Sequence, residues 1–365
     1  MQLRKKKHWI GETTRMLLDR MGESGTIVYN TLKPNDCIRG VRMKITGFIF
    51  VIVVFIVCFS EFCGGNEEQA VNLRSMKYTQ RSKAEAMQWQ AEMRERLFQL
   101  LKLDDLLSAK IALNPKIRST EDHKTYVLSE MEIQSTVDRT IDIMVSIPKS
   151  DLDAYPAVVC IHGHGGDRRS VYDVDSVYKG FAAKLAEKDV VTISCDVGQH
   201  EVYEEGRLLM GERLWNVIRC VDVLQSLPRV DKHRIGCAGL SLGGEMAMWL
   251  GAMDERVQAV VSSGFLTMMD QMEQNHCMCW KFDGLRELVD FPDIYSLIAP
   301  RALQCQNGLK EGPKMFYPAL AQAAMEEVRQ IYEDLGAFEN VEMDVHAGGH
   351  EMDLEGMMRF FENRL

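Results

Sequence analysis

Residues 234–253 read RIGCAGLSLGGEMAMWLGAM. The opening RIGCAG has the make-up of a short core strand, and the closing GEMAMWLGAM that of an apolar helix. The pentapeptide Gly239-Leu240-Ser241-Leu242-Gly243 joins them. A strand that turns straight into a helix holds the residue at the bend in strained backbone geometry, and glycines two positions to either side relieve the crowding. The hydroxyl of Ser241 is then expected to point into a cleft at the N-terminus of a helix, where negative charge is favoured. Gly-x-Ser-x-Gly alone arises by chance in many chains. With strand, bend and helix in order, Ser241 reads as a nucleophile.

The same rhythm extends in both directions. Short strands are expected at 157–162 (AVVCIH), 190–196 (VVTISCD), 234–239, 257–263 (VQAVVSS), 301–307 (RALQCQN) and 341–346 (VEMDVH). Helices are expected near 175–187, 208–226, 243–252, 317–335 and from Leu354 onward. Largely apolar strands separated by helices predict an α/β fold with a mostly parallel central sheet and helices on both faces. Upstream, 126–133 and 140–147 read as an antiparallel pair. Residues 84–103 carry Met93, Leu97, Leu100 and Leu101 on one helical face.

Such sheets bind ligands beyond the carboxyl ends of their strands, and the remaining chemistry is sought there. His350, in HAGGHE after the last strand, is placed to act as the base. Its rival His346 completes the strand. Glu311 follows strand 301–307 and is placed to orient the imidazole of His350, with Asp270 as the reserve acid. The backbone N–H groups of Leu242 and of His164, in the loop His162-Gly163-His164-Gly165-Gly166, are placed to hold an oxyanion. The Met-rich segment between Gly264 and Pro300 reads as a roof, with Trp280 and Phe282 assigned, like His162, to a substrate pocket. Neither metal nor cofactor is expected. His162 and His164, with His200 or His276, lack the spacing of a usual ligand set, and Cys277-x-Cys279 has no second pair.

These motifs resemble a known family. HGHGG, GLSLGG, the tract DIYSLIAPR ending in QNGLKE, and HAGGHE look like the acetylxylan-esterase-like and dienelactone-hydrolase-related branch of the α/β hydrolases, over about residues 85–365. The resemblance implies the α/β-hydrolase fold and an acyl-enzyme mechanism acting on a small ester or acetylated carbohydrate. Dienelactone hydrolases proper carry a cysteine nucleophile where this chain has Ser241, and the family's acid is commonly Asp where this chain has Glu311. Two other functions remain as expectations to separate. One is a peptidase related to prolyl oligopeptidases, although the N-terminal region is too short for a propeller. The other is a membrane-tethered binding protein on an inactive scaffold, against which the intact Ser, His and loop glycines speak.

Composition bounds the rest. The chain has 365 residues, 46% of them hydrophobic, and a formal charge of -10. With no dense basic stripe, a nucleic-acid partner is not expected. Residues 45–59 (ITGFIFVIVVFIVCF) are almost wholly apolar and follow Arg39, Arg42 and Lys44, as in a secretory signal or an uncleaved anchor. If translation begins at Met43, an ordinary signal peptide results. The expected organisation is a poorly ordered extension at 1–42, a signal or anchor at 43–64, a linker at 65–83 and a catalytic domain at 84–365. An exported domain is the favoured location. Seven cysteines after residue 100, an odd number and four of them inside core strands, pull toward a reducing compartment instead.

Overall fold

The structure is a computed structural model that describes residues 73–365, together with a two-residue antiparallel pairing of Val28–Tyr29 with Val41–Arg42. Apart from that pairing, the extension at 1–42 and the apolar run at 45–59 lie outside the described residues. Among the described residues, no helix is long and apolar enough to cross a membrane.

Nine strands form one sheet: β1 (Lys116–Asp122), β2 (Tyr126–Gln134), β3 (Thr140–Pro148), β4 (Tyr155–Ile161), β5 (Val191–Cys195), β6 (Val230–Leu240), β7 (Ala259–Ser263), β8 (Ala302–Gly308) and β9 (Val341–His346). Their spatial order is β1-β2-β3-β5-β4-β6-β7-β8-β9. The first three are antiparallel, β3 also meets β5 antiparallel, and every pairing from β5 to β9 is parallel. Helices α1 (Lys83–Leu100) and α2 (Asp104–Ser108) precede the sheet, and α6 (Met269–Asn275), α7 (Leu285–Leu288) and α8 (Phe291–Ser296) lie between β7 and β8. Crossover helices α3 (Phe181–Ala186), α4 (Leu209–Ser226), α5 (Leu242–Met253) and α9 (Pro318–Leu335) link the parallel strands, and α10 (Leu354–Arg364) closes the chain.

Burial follows the apolar pattern. All residues of β5, β7 and β8, and all twelve of α5, are buried. Cys160, Cys195, Cys237 and Cys305 lie in core strands as small apolar side chains, and Cys220 is buried in α4.

Two sequence expectations need correction. The helix expected at 84–103 spans Lys83–Leu100, and a separate short helix follows at Asp104–Ser108. Strand β1 was not expected; its sequence KIRSTED leaves all seven residues exposed and has no apolar face to betray it. Within the stretch 65–83, expected as a linker, residues 74–78 contact the catalytic domain. Arg74 pairs with Asp293 and Glu327, Tyr78 is buried, and the backbone of Arg74, Ser75 and Met76 donates to the carbonyls of Arg286, Glu287 and Leu288.

Candidate active site

Ser241 sits between β6 and α5 with φ 62° and ψ -123°, left-handed backbone that a non-glycine residue adopts only when its surroundings hold it there. A Cβ on Gly239 would lie 2.2 Å from the Gly243 carbonyl oxygen, so the bend closes only with glycine at that position. The Ser241 N–H donates to the Ser263 carbonyl at 2.9 Å, which fixes the elbow against the end of β7.

The same end of β7 borders the base. A Cβ built on Gly264 would fall 2.8 Å from Cε1 of His350, so the imidazole lies against the residue next to Ser263. His350 is positioned from β8 and β9. Leu309 and Lys310 donate to the carbonyls of His346 and Gly348, and Gln306 brackets the backbone of Asp353 through its Oε1 and Nε2. The His350 ring also stacks on Phe316, with centroids 5.4 Å apart and planes 14° apart.

Glu311 completes the arrangement. Its Oε2 accepts from His350 Nδ1 at 3.0 Å and from the Phe316 N–H at 3.2 Å, and its Oε1 accepts from the Gly308 N–H at 3.3 Å. A carboxylate only accepts, which puts the proton on Nδ1 and leaves Nε2 as the basic nitrogen. Glu311 is 4% exposed, so its orientation is fixed away from water. The reserve acid Asp270 lies elsewhere. Its carboxylate is exposed and pairs with Arg286.

At the mouth, the Gly163 N–H donates to the Tyr178 hydroxyl at 2.6 Å, which takes that donor out of play and turns attention to His164. Leu242 is the first residue of α5, so its N–H has no acceptor within the helix. Burial, with Arg213 nearby, pushes the His164 imidazole down to about 4, leaving it neutral near pH 7.

Two pocket assignments do not survive. His162 is fully buried, with Nδ1 against the Gly163 carbonyl at 2.8 Å and Nε2 accepting from the Val197 N–H at 3.0 Å. It ties the ends of β4 and β5 together and faces no cleft. Trp280 is 1% exposed and packs edge-on against Phe291 inside the roof, a core residue where a pocket wall was expected. Phe282 is half-buried beside Trp249.

One grouping was not anticipated. His164, His200, Cys277 and Cys279 converge, their donor atoms all within 4.8 Å of one another. These side chains come from three loops, so local sequence spacing shows only fragments of the grouping.

The sheet order, the elbow and the loops at the strands' carboxyl ends define the class: this chain has the α/β-hydrolase fold. Within that class it is similar to the acetyl xylan esterases. The family "Acetyl xylan esterase (AXE1)" matches residues 204–274, which carry β6, the elbow and β7. The YtaP protein of Bacillus subtilis (strain 168) is 25% identical over 228 residues, covering 56% of this chain and 75% of its own. Among solved structures, a Bacteroides fragilis chain designated an acetyl xylan esterase superposes with a TM-score of 0.65 at 17% identity, covering 80% of this chain and 82% of that one. An acetyl xylan esterase from Paenibacillus sp. R4 gives 0.56 at 18%, covering 82% and 100%. A glucuronoyl esterase from Solibacter usitatus gives 0.59 at 13%, covering 82% and 97%. At these identities the structural likenesses establish the fold.

Proposed function

We propose that this chain is a serine carboxylic-ester hydrolase that removes acetyl or similarly small acyl groups from a carbohydrate. The observation that carries the reading is the buried Glu311–His350 pair at 3.0 Å, set beside the same strand end that anchors Ser241. The Ser241 hydroxyl attacks the ester carbonyl as His350 Nε2 takes its proton. The N–H groups of Leu242 and His164 receive the developing oxyanion. His350 then protonates the departing alcohol, and water hydrolyses the acyl-enzyme by the same steps in reverse roles. Glu311 stabilises the imidazolium that exists only while the proton is on loan. The carbohydrate side of the reading draws on the acetyl xylan esterase match and the esterases among the structural relatives.

A fluorophosphonate probe and a substrate panel test it together. Wild-type protein should be labelled and Ser241→Ala should not. Acetylated xylo-oligosaccharides and p-nitrophenyl acetate should turn over well above glucuronoyl esters and proline-linked chromogenic peptides. Labelling that persists in Ser241→Ala would overturn the nucleophile, and a preference for the peptide would overturn the esterase reading.

A further inference from the structure

We propose that His164, His200, Cys277 and Cys279 form a zinc site that clamps the roof to the loops at the active-site mouth. The four donors are two imidazole nitrogens and two sulfurs, with no carboxylate among them, the set that suits zinc in a closed structural site. They are already paired crosswise. His164 Nε2 lies 3.2 Å from Cys279 Sγ, and His200 Nε2 lies 3.3 Å from Cys277 Sγ. The two imidazoles face each other with centroids 5.4 Å apart. Zinc bonds of about 2.0–2.3 Å set tetrahedral ligand separations of about 3.3–3.8 Å. The widest separation here, 4.8 Å, needs a contraction of only about an ångström to reach them.

A second observation points to charged sulfur. Arg213 is fully buried, and its Nη1 donates to Cys279 Sγ at 3.3 Å while its Nη2 donates to the Gln199 carbonyl. A neutral thiol is a weak acceptor and a poor companion for a buried cation. A metal-bound thiolate supplies both the acceptor and the charge. Binding displaces one proton from each thiol to solvent, so that Zn²⁺ and two thiolates sum to zero.

Placement gives the site its consequence. His164 follows β4, His200 follows β5, and the two cysteines lie in the roof around the short turn Met278–Trp280. One ion would join all three segments. With four protein ligands it keeps no open position, so it binds no substrate and acts as a clamp. His164 thereby becomes a positioning residue whose side chain fixes the loop that carries its own backbone donor. That effect on rate rests on the esterase reading; the binding of zinc does not.

The test uses the whole chain, purified under reducing conditions and equilibrated with zinc. Elemental analysis should find about one zinc per chain. Exchange with cobalt should give thiolate-to-metal charge transfer and the strong visible bands of a tetrahedral site. Cys277→Ser and His200→Asn should each weaken zinc binding by about tenfold or more. Removal of zinc should lower the thermal midpoint and kcat, both recovering on its return. Less than roughly a tenth of an equivalent of zinc on a fully reduced chain would overturn the proposal. So would binding that neither substitution weakens, or a Cys277–Cys279 disulfide in the protein as isolated. If zinc binds and fluorophosphonate fails to label Ser241, the clamp stands and the esterase reading falls.

Discussion

At the scale of single residues, the reach of Glu311 to His350 has a geometric reason. Glu311 stands three residues beyond Gly308, and its carboxylate folds back to take the Gly308 and Phe316 N–H groups as well as His350 Nδ1. Its extra methylene relative to Asp is taken up by that turn. Glu311→Gln keeps the shape but removes the charge that supports the imidazolium, so kcat should fall by about 10²–10⁴-fold with KM little changed. Asp270→Asn should stay within about threefold of wild type, because it severs only an exposed ion pair. Steady-state kinetics on a chromogenic acetate ester check both, and the opposite ranking would return the acid to Asp270. The bend at Ser241 and the meeting of His350 with Glu311 were legible in the sequence because each residue lies within four residues of the end of a strand whose apolar run is unmistakable. His162 and Trp280 were misread for a complementary reason. A polar or aromatic side chain next to a functional loop looks the same in sequence whether it faces the cleft or the core.

At the scale of elements, His162 shows how the mouth of the sheet is held. Its ring spans from the end of β4 to the turn after β5, accepting from the Val197 N–H and meeting the Gly163 carbonyl. His162→Ala would leave the buried Val197 donor unpaired and open a void where the ring was. A loss of about 2–4 kcal/mol is expected, read from urea unfolding monitored by circular dichroism. A loss below about 1 kcal/mol would mean that the two loops are held by other contacts. Strand β1 marks the limit of element reading. It is recognised by its backbone pairing to β2 and by the cross-strand contacts of Lys116 and Arg118 with Glu132, none of which leaves a periodic apolar trace. The parallel strands were legible because burial on both faces demands continuous apolar runs, and the grouping of His164, His200, Cys277 and Cys279 was not because three separate loops must fold before these side chains meet.

At the scale of the whole molecule, the fold places a carboxyl group where it cannot easily ionise. Glu245 lies in the first turn of α5, four residues after Ser241 and 2% exposed, and its Oε1 has no hydrogen-bond partner. Burial raises it to about 8, against a partial pull downward from Arg213 and Trp249. In the unfolded chain the same group titrates near 4.5. The native state therefore holds a proton that the unfolded state releases, and stability linked to this group is complete below about pH 4.5 and is lost as pH rises through about 8. Glu245→Gln mimics the protonated acid without titrating. Thermal midpoints measured by calorimetry at pH 5 should then differ little between wild type and variant. By pH 9 the variant should melt higher by roughly 5 °C or more, since each pH unit of displaced titration is worth about 1.4 kcal/mol. Parallel profiles across that range would mean that Glu245 ionises in the folded protein with Arg213 as its counter-charge, and that burial does not govern it. The wild-type decline should also appear in the Ser241→Ala variant, because it belongs to the packing of α5 against the sheet and owes nothing to turnover.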